Sequence, residues 1–204
     1  MASMNNLIKY LILLLLFALS GCTLFSPVKV HTETKYTINS LPAVVSKGKQ
    51  HHSVLLVLIP ETSPMYDTTR MAYTIRPYQI AYFGRNQWAE TPSQMLLPLI
   101  AQTLTRTHSF RAVVITPYAG HYDYILRTQI LQIEQDFKYR PALLRFTLQV
   151  QLVKSINNQL VAIKELSVIE PMLQSSPYGG VLAANRATQK LLQQIAIFCL
   201  QKAH

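Results

Sequence analysis

The sequence predicts an α+β domain over residues 35–204, with a mixed or antiparallel sheet of about five to six strands and two helices packed on one face. Two observations support this fold class. Six short segments are rich in β-branched and apolar residues or alternate between apolar and polar residues, as strands do. Two longer segments repeat apolar residues every three or four positions, which is typical of helices that bury one face.

Both helices are preceded by recognisable boundary signals. Thr91 and Pro92 supply an N-cap residue and a proline at the first helical position. Apolar residues then recur at helical spacing as far as Leu104, but Pro98 lies among them and predicts a kink or a helix in two parts. The second helix is predicted over residues 181–201, after a loop of sequence SSPYGG.

The predicted strands fall into two groups. The segment VLLVLI, residues 54–59, is apolar at every position and is typical of a central strand buried on both faces. The later strands form a meander, in which Ile130 and Leu131 break the alternation of the first strand and predict a bulge. In order, the six predicted strands cover residues 35–38, 54–59, 110–115, 122–137, 144–152 and 160–169.

An apolar run near the N terminus, LILLLLFAL, is too short for a membrane-spanning helix, which needs about 20 apolar residues. It is followed by small residues and Cys22 in the sequence LSGC, which resembles the bacterial lipobox. We therefore expect residues 1–21 to be a lipoprotein signal peptide and residues 22–34 a lipidated tether, with a diacylglyceryl group and an N-acyl chain such as palmitate on Cys22. A general secretory signal with an incidental cysteine is the alternative. Thr23 favours retention at the periplasmic face of the outer membrane.

Composition limits the classes of partner and chemistry. The net charge of +10, from 19 Lys and Arg against 9 Asp and Glu, favours anionic partners or is simply the background charge of the host's proteins. Cys199 is the one cysteine besides Cys22, so the lipidated chain can form no internal disulfide.

The sequence contains no motif of an established catalytic site: no GxSxG, no HExxH and no glycine-rich phosphate loop. His121 and Asp123 are close in sequence but lack a nucleophile, and Glu134 with Asp136 is interpreted as a solvated pair. We therefore predict a protein that is not an enzyme and binds no metal or cofactor beyond the lipid on Cys22.

One irregular segment, residues 61–88, interleaves aromatic rings with arginines. This mixture is typical of protein interfaces, and it equally suits two short strands whose rings cap the core. Stacking on nucleic acid is disfavoured by the signal peptide. The candidate partner-binding residues are Arg70, Tyr73, Tyr78, Tyr82, Phe83 and Trp88.

Several of these segments together resemble the auxiliary lipoprotein component of ABC-type, MCE-linked lipid transport systems, the family that includes the PqiC lipoprotein. The resemblance begins with the lipobox, continues through KYTINSLP and VLLVLIP, and ends with AANRATQKLLQQIA, which contains Asn185 and Ala187. It is most specific in the central run of residues 70–104, at positions Arg70, Tyr73, Tyr82, Phe83, Trp88 and Pro92.

The resemblance implies a non-enzymatic component that is held at the outer membrane and docks an MCE-domain protein. Through that protein it would act with an inner-membrane ABC permease and ATPase. A lipid-binding carrier is the first alternative, with an acyl chain of a phospholipid held near Met95, Leu99 and Phe146. An envelope assembly lipoprotein, of the lipopolysaccharide or secretin type, is the second.

Overall fold

The computed structural model describes residues 32–45, 50 and 52–203, together with Met4, Lys9 and Tyr10. The predicted lipidation site Cys22 and most of the signal peptide and tether lie outside the described residues. The chain divides into two compact units, 1–32 and 33–204. In the first unit, Met4, Lys9 and Tyr10 are helical. Within the part of the chain that the structure describes, no helix combines the length and hydropathy of a membrane span.

The second unit is an α+β fold, which confirms the predicted class. Its described residues form a mixed sheet of nine strands and two helices, whereas the sequence predicted five to six strands. The three additional strands, β3 to β5, lie in the irregular aromatic segment. The elements are β1 (Thr34–Tyr36), β2 (Val54–Val57), β3 (Glu61–Thr62), β4 (Arg70–Thr74), β5 (Ala81–Trp88), α1 (Pro92–Thr105), β6 (Ala112–Ile115), β7 (Tyr124–Asp136), β8 (Leu143–Lys154), β9 (Gln159–Pro171) and α2 (Pro177–Lys202).

The long strand β7 organises the sheet. On one side it pairs with β8, which in turn pairs with β9, and both pairings are antiparallel as the predicted meander requires. On the other side β7 runs parallel to three short strands in succession: β2 at its start, β3 in its middle and β4 at its end. β6 extends the sheet beyond β2, and β5 and β1 extend it beyond β4.

The predicted bulge lies in β7. Ile130 is opposite Leu148 and Gln132 is opposite Thr147, so Leu131 is the additional residue that has no partner of its own. The bulge exchanges the faces to which odd-numbered and even-numbered residues point. It therefore allows both Ile130 and Ile133 to be buried, although they are three residues apart.

Both helices pack against one face of the sheet. α2 contacts β8 and β9, α1 contacts β2 and β6, and the two helices contact each other. The sheet side of this interface is the alternating apolar row that the sequence predicted for β8, and every member is at most 1% exposed: Leu144, Phe146, Leu148, Val150 and Leu152. The buried core extends from Ile38 to Ala203 in the described residues. Cys199 is part of it, and burial raises the pKa of its thiol to about 12, as expected of an inert cysteine.

The helix starts follow the sequence signals in part. α1 begins at Pro92 and is continuous through Pro98, so the two-part helix was wrong. α2 begins four residues earlier than predicted, because Ser176 is an N-cap whose Oγ accepts a hydrogen bond from Gly179 N at 3.1 Å. A Cβ at Gly179 would overlap the carbonyl oxygen of Gln174, which explains why glycine occupies this turn.

A row of amide side chains on α2 holds the extended segment 37–45. Asn185 accepts hydrogen bonds from Asn39 N at 3.0 Å and Ser40 N at 3.1 Å, and it donates one to Thr37 O at 3.1 Å. One and two turns further along, Gln189 donates to Leu41 O and Gln193 donates to Val44 O. These hydrogen bonds therefore hold the segment that follows β1 against α2.

Candidate functional site

The predicted partner-binding residues lie on the β4–β5 hairpin. Ala72 is opposite Tyr82, but the next paired residues are Arg70 and Gln87, so β5 contains three more residues than β4 over this stretch. Successive residues of a strand point to opposite faces of a sheet. Tyr82 and Phe83 therefore belong to different surfaces of the hairpin.

The helix-covered face of the hairpin holds a cluster of three rings. Tyr73 and Phe83 stack with their centroids 4.4 Å apart, and the edge of Phe137 meets them at 6.1 and 6.2 Å. All three side chains are half-buried. Stacked and edge-to-face pairs of this kind contribute about 0.5–1.5 kcal/mol each beyond the area they bury. This part of the segment caps the core, as one of the two interpretations of the sequence predicted.

The open face carries a smaller cluster that we call the Arg70–Tyr82 pair, in which Arg70 is exposed and Tyr82 is half-buried against the core. The guanidinium carbon of Arg70 lies 4.2 Å from the centroid of the Tyr82 ring. The Tyr82 hydroxyl donates a hydrogen bond to the carbonyl oxygen of Met65 at 2.8 Å, and the side chain of Met65 is itself exposed. A cation–π contact and a hydrogen bond therefore hold the three residues Met65, Arg70 and Tyr82 together at the surface.

Charged groups beside this pair are largely satisfied internally. Tyr66 donates a hydrogen bond to Glu134 Oε2 at 3.1 Å, and burial together with that carboxylate raises the pKa of Tyr66. Asp136 is completely buried and accepts a hydrogen bond from Arg145 Nε at 2.8 Å, with Lys138 Nζ 3.6 Å away. The interpretation of Glu134 and Asp136 as a solvated pair is thus wrong for Asp136, which neutralises cations at the base of the β7–β8 turn.

The remaining two candidates lie elsewhere. Tyr78 is fully exposed at the tip of the hairpin. Trp88 is only 3% exposed and belongs to the hydrophobic core, so it forms no part of an accessible binding surface. The residue type alone does not predict this burial, because tryptophan is enriched at interfaces and is also found in hydrophobic cores.

A cleft of about 730 Å³ opens at the other end of the sheet, where β2 and β7 begin and β8 ends. His121 Nε2 lies 3.3 Å from Asp123 Oδ1, and Asp123 Oδ2 accepts a hydrogen bond from Val54 N at 2.7 Å. This carboxylate therefore orders the start of β2. The sequence did not reveal the cleft, because its lining comes from separate chain segments: His52, Ser53, His121–Tyr124 and Lys154–Ile156. Among the described residues, no group of His, Cys, Asp and Glu is arranged to hold a metal ion.

Comparison with solved structures supports the fold. The chain is similar to the crystal structure of protein XCC0632 from Xanthomonas campestris, of family DUF330, with a TM-score of 0.74 and 18% identity over 83% of this chain and 96% of that one. It is also similar to the crystal structure of an uncharacterized protein, with a TM-score of 0.65 and 13% identity over 82% of this chain and 98% of that one. No curated protein matches the chain.

Residues 36–196 match the family model described as the ABC-type transport auxiliary lipoprotein component. The match begins at the last residue of β1 and covers α1, the whole meander and most of α2, and it includes every candidate residue of the β4–β5 hairpin. The chain therefore belongs to the family of ABC-type transport auxiliary lipoprotein components.

Proposed function

We propose that this protein is a lipid-anchored, non-enzymatic component of an MCE-linked lipid transport system, held by Cys22 at the periplasmic face of the outer membrane. There it docks an MCE-domain protein that works with an inner-membrane ABC permease and ATPase. Membership of the auxiliary lipoprotein family supports the role in transport. The LSGC sequence after a short apolar run supports the anchor.

The observation that carries the docking role is the surface cluster of Met65, Arg70 and Tyr82, in which Met65 and Arg70 are exposed and Tyr82 is half-buried. Methionine, arginine and tyrosine are among the residue types enriched at protein interfaces, and tyrosine and arginine are typical hot spots. Here the three are already held in one arrangement by the cation–π contact and the hydrogen bond. A preformed cluster loses less side-chain entropy when a partner covers it, which favours binding.

The ring cluster beneath the hairpin has a supporting role in this proposal. Tyr73 and Phe83 are half-buried and stack against each other and Phe137, so they fix the position of β5. Because Tyr82 directly precedes Phe83 in β5, the cluster also determines where the ring of Tyr82 projects. The Arg70–Tyr82 pair then makes the contact with the partner.

The test combines Arg70→Ala with Tyr82→Ser in the full-length lipoprotein and measures co-purification with the MCE-domain protein from membranes. We expect the affinity to fall at least about 30-fold, since loss of a hot-spot residue costs about 2 kcal/mol or more. Tyr118→Ser is the matched control, because Tyr118 is an exposed tyrosine on the β6–β7 connection, away from the hairpin. Emission from Trp88, the one tryptophan in the chain, reports whether each variant keeps its core.

A double variant that keeps its folded emission spectrum and still co-purifies at the level of the control would overturn the docking assignment. Trp88→Ala is unsuitable here, because removing a large buried aromatic side chain costs about 3–5 kcal/mol of stability whatever its role in binding.

The lipid-carrier alternative receives no support from the packing of its predicted site. Met95, Leu99 and Phe146 are 4%, 6% and 0% exposed and belong to one continuous core. An acyl chain between the sheet and α1 would have to displace these side chains from each other. Native mass spectrometry of the delipidated protein remains the direct test, and bound phospholipid would favour the carrier.

A further inference from the structure

Three loops meet at the end of the sheet where β4, β7 and β9 finish. They are residues 75–80, 137–142 and 172–176, and we call them the tether-end loops. Phe137 N donates a hydrogen bond to Thr74 O at 2.9 Å, which joins the first loop to the second. Met172 N donates one to Ala142 O at 2.7 Å, which joins the second to the third. The three loops therefore form one continuous rim.

This rim exposes large apolar side chains, one of which, Tyr139, also contacts the guanidinium of Arg145, whose carbon lies 5.3 Å from the ring centroid. Tyr78 is fully exposed and Leu173 is 82% exposed, while Ile75 and Tyr139 are each about half exposed. Burying any one of them would contribute to stability, so their exposure in adjacent loops is notable. Tyrosine and aliphatic side chains side by side are the composition that proteins place at the interface between water and lipid.

The charge of the rim is uniformly positive. The three loops contain Arg76, Lys138 and Arg140 and no aspartate or glutamate. The carboxylate at their base, Asp136, is completely buried against Arg145 and Lys138, so it presents no negative surface and offsets the charge of Lys138. Arg76 and Arg140 are therefore the cations that attract an anionic surface. Cations around exposed apolar tips complement an anionic bilayer, where each basic residue near the surface adds about 1 kcal/mol of attraction.

Tyr78 is held in an unusual backbone conformation. Its φ is 62°, in the left-handed region that glycine and asparagine occupy more readily than a bulky residue. A tyrosine at this position costs backbone strain and buries nothing in the fold. The cost is consistent with a contact that the ring makes outside the folded chain.

The direction of β1 relates this rim to the tether. β4 ends at the rim, β5 runs antiparallel to β4, and β1 runs parallel to β5. The chain therefore enters the sheet at Thr34 from the side of the rim and runs away from it. Thr34 is opposite Asn86, five residues into β5, which is about 16 Å from the rim. Eleven residues lie between Cys22 and Thr34, and the stretch from one to the other can span at most about 40 Å.

We propose that the tether-end loops contact the anionic surface of a phospholipid bilayer, with Tyr78 and Leu173 entering the interface and Arg76 and Arg140 over the headgroups. The orientation rests on the proposed function, because it uses the lipid on Cys22 as the anchor. The surface itself does not depend on the anchor, so the two can be tested separately.

The test uses the mature chain from residue 22 with Cys22→Ser, which carries no lipid and keeps every residue of the core. A flotation assay measures the fraction of this protein that binds to vesicles of phosphatidylcholine alone and to vesicles of equimolar phosphatidylcholine and phosphatidylglycerol. We expect binding to the anionic vesicles only. Arg76→Gln with Arg140→Gln should weaken that binding about 30-fold, at about fivefold for each cation.

Removing the apolar tips gives an independent variant. Tyr78→Asn suits the left-handed backbone and Leu173→Ser removes an exposed side chain, so neither should disturb folding. Together they should lower binding to anionic vesicles by about tenfold or more. The matched control is Ile156→Ser with Lys154→Gln, because Ile156 is 94% exposed and Lys154 is exposed at the opposite end of the sheet.

An insertion probe identifies which end meets the lipid. Tyr78→Trp should show a blue shift with anionic vesicles and quenching by brominated lipid, whereas Ile156→Trp should show neither. The proposal is overturned if the parent chain does not bind, if the control variants lose binding equally, or if the rim variants bind as the parent does. It is also overturned if the rim variants lose the MCE-domain partner but keep the vesicles, because the rim would then be a protein-docking surface.

Discussion

At the scale of single residues, Glu170 shows how a buried charge can be made stabilising. It is only 4% exposed on β9, and burial by itself would raise its pKa. Hydrogen bonds and charges from Lys190 and Arg186 on α2 outweigh burial, and they hold the pKa of Glu170 below its ordinary value of 4.5. The carboxylate therefore joins the helix to the sheet through two partners.

This pKa shift predicts a dependence of stability on pH. Because the folded pKa is lowered, the contribution of Glu170 is fully present above pH 4.5 and is lost as the pH falls through the folded value. Glu170→Gln should therefore reduce the free energy of unfolding at neutral pH by about 1–2 kcal/mol, and the difference from the parent should shrink in acid. Urea unfolding at neutral and acidic pH measures this. Glu165→Gln is the control, because Glu165 is exposed on the same strand, and it should change neither the free energy of unfolding at neutral pH nor its dependence on pH. If the two variants showed the same pH dependence, the assignment to Glu170 would be contradicted.

At the scale of elements, the amide row on α2 connects the N-terminal segment to the domain. Asn185→Ala removes the acceptor for two backbone N–H groups and the donor to Thr37 O, so we expect a loss of about 2–3 kcal/mol. Asn185→Asp keeps the acceptors and loses the donor, so its loss should be smaller. Hydrogen exchange at Asn39 and Ser40 should accelerate in the alanine variant. The control is Gln194→Ala, because Gln194 is an amide residue on the same helix outside the row. If the Asn39 and Ser40 amides were equally protected from exchange in both variants, the row would not hold the segment to α2.

The elements that the sequence predicted well are those with local determinants. The alternation of β8, the bulge at Leu131 and the start of α1 at Pro92 each depend on residues close in sequence. The turn between β8 and β9 also has a local determinant, because Asn158 has the positive φ of 52° that asparagine tolerates.

The β4–β5 hairpin could not be predicted in this way. β4 is only five residues long, and β5 contains three unmatched residues, so neither strand shows a clear alternation. Its place in the sheet depends on parallel pairing with the distant end of β7. Trp88 was for the same reason grouped with exposed rings, since its burial depends on residues distant in sequence, including Tyr36 of β1, which is opposite it in the sheet.

At the scale of the whole molecule, the two proposed surfaces adjoin each other in the second unit but face different directions. The tether-end loops form the end of the sheet where β4, β7 and β9 finish, while the Arg70–Tyr82 pair lies on the open face, with Arg70 at the start of β4 and Tyr82 two residues after the loop 75–80. Phe137 of the rim also packs against Phe83, the neighbour of Tyr82. We therefore expect the partner to dock close to the bilayer, and because the two surfaces are neighbours, we expect the effects of their variants to be coupled rather than additive.

The length of the tether gives the last prediction. Deleting residues 24–29 keeps Cys22 and Thr23 and reduces the maximum reach from Cys22 to Thr34 to about 20 Å. That still exceeds the distance of about 16 Å between Thr34 and the rim, whereas the opposite end of β7, which spans about 43 Å over its 13 residues, is about 27 Å from Thr34. With so short a tether only the rim, and not the opposite end of the sheet, can rest on the bilayer.

We therefore expect the shortened lipoprotein to co-purify with its partner as the parent does. A photo-crosslinking residue at position 78 should label lipid in cells, and one at position 156 should not. Replacing residues 24–29 by a glycine–serine segment of equal length is the control for loss of the sequence itself. If the deletion abolishes partner binding while the replacement preserves it, the domain must stand away from the membrane. Lipid contact by the rim would then be excluded, because a domain resting on the bilayer through its tether-end loops has no need of the longer reach.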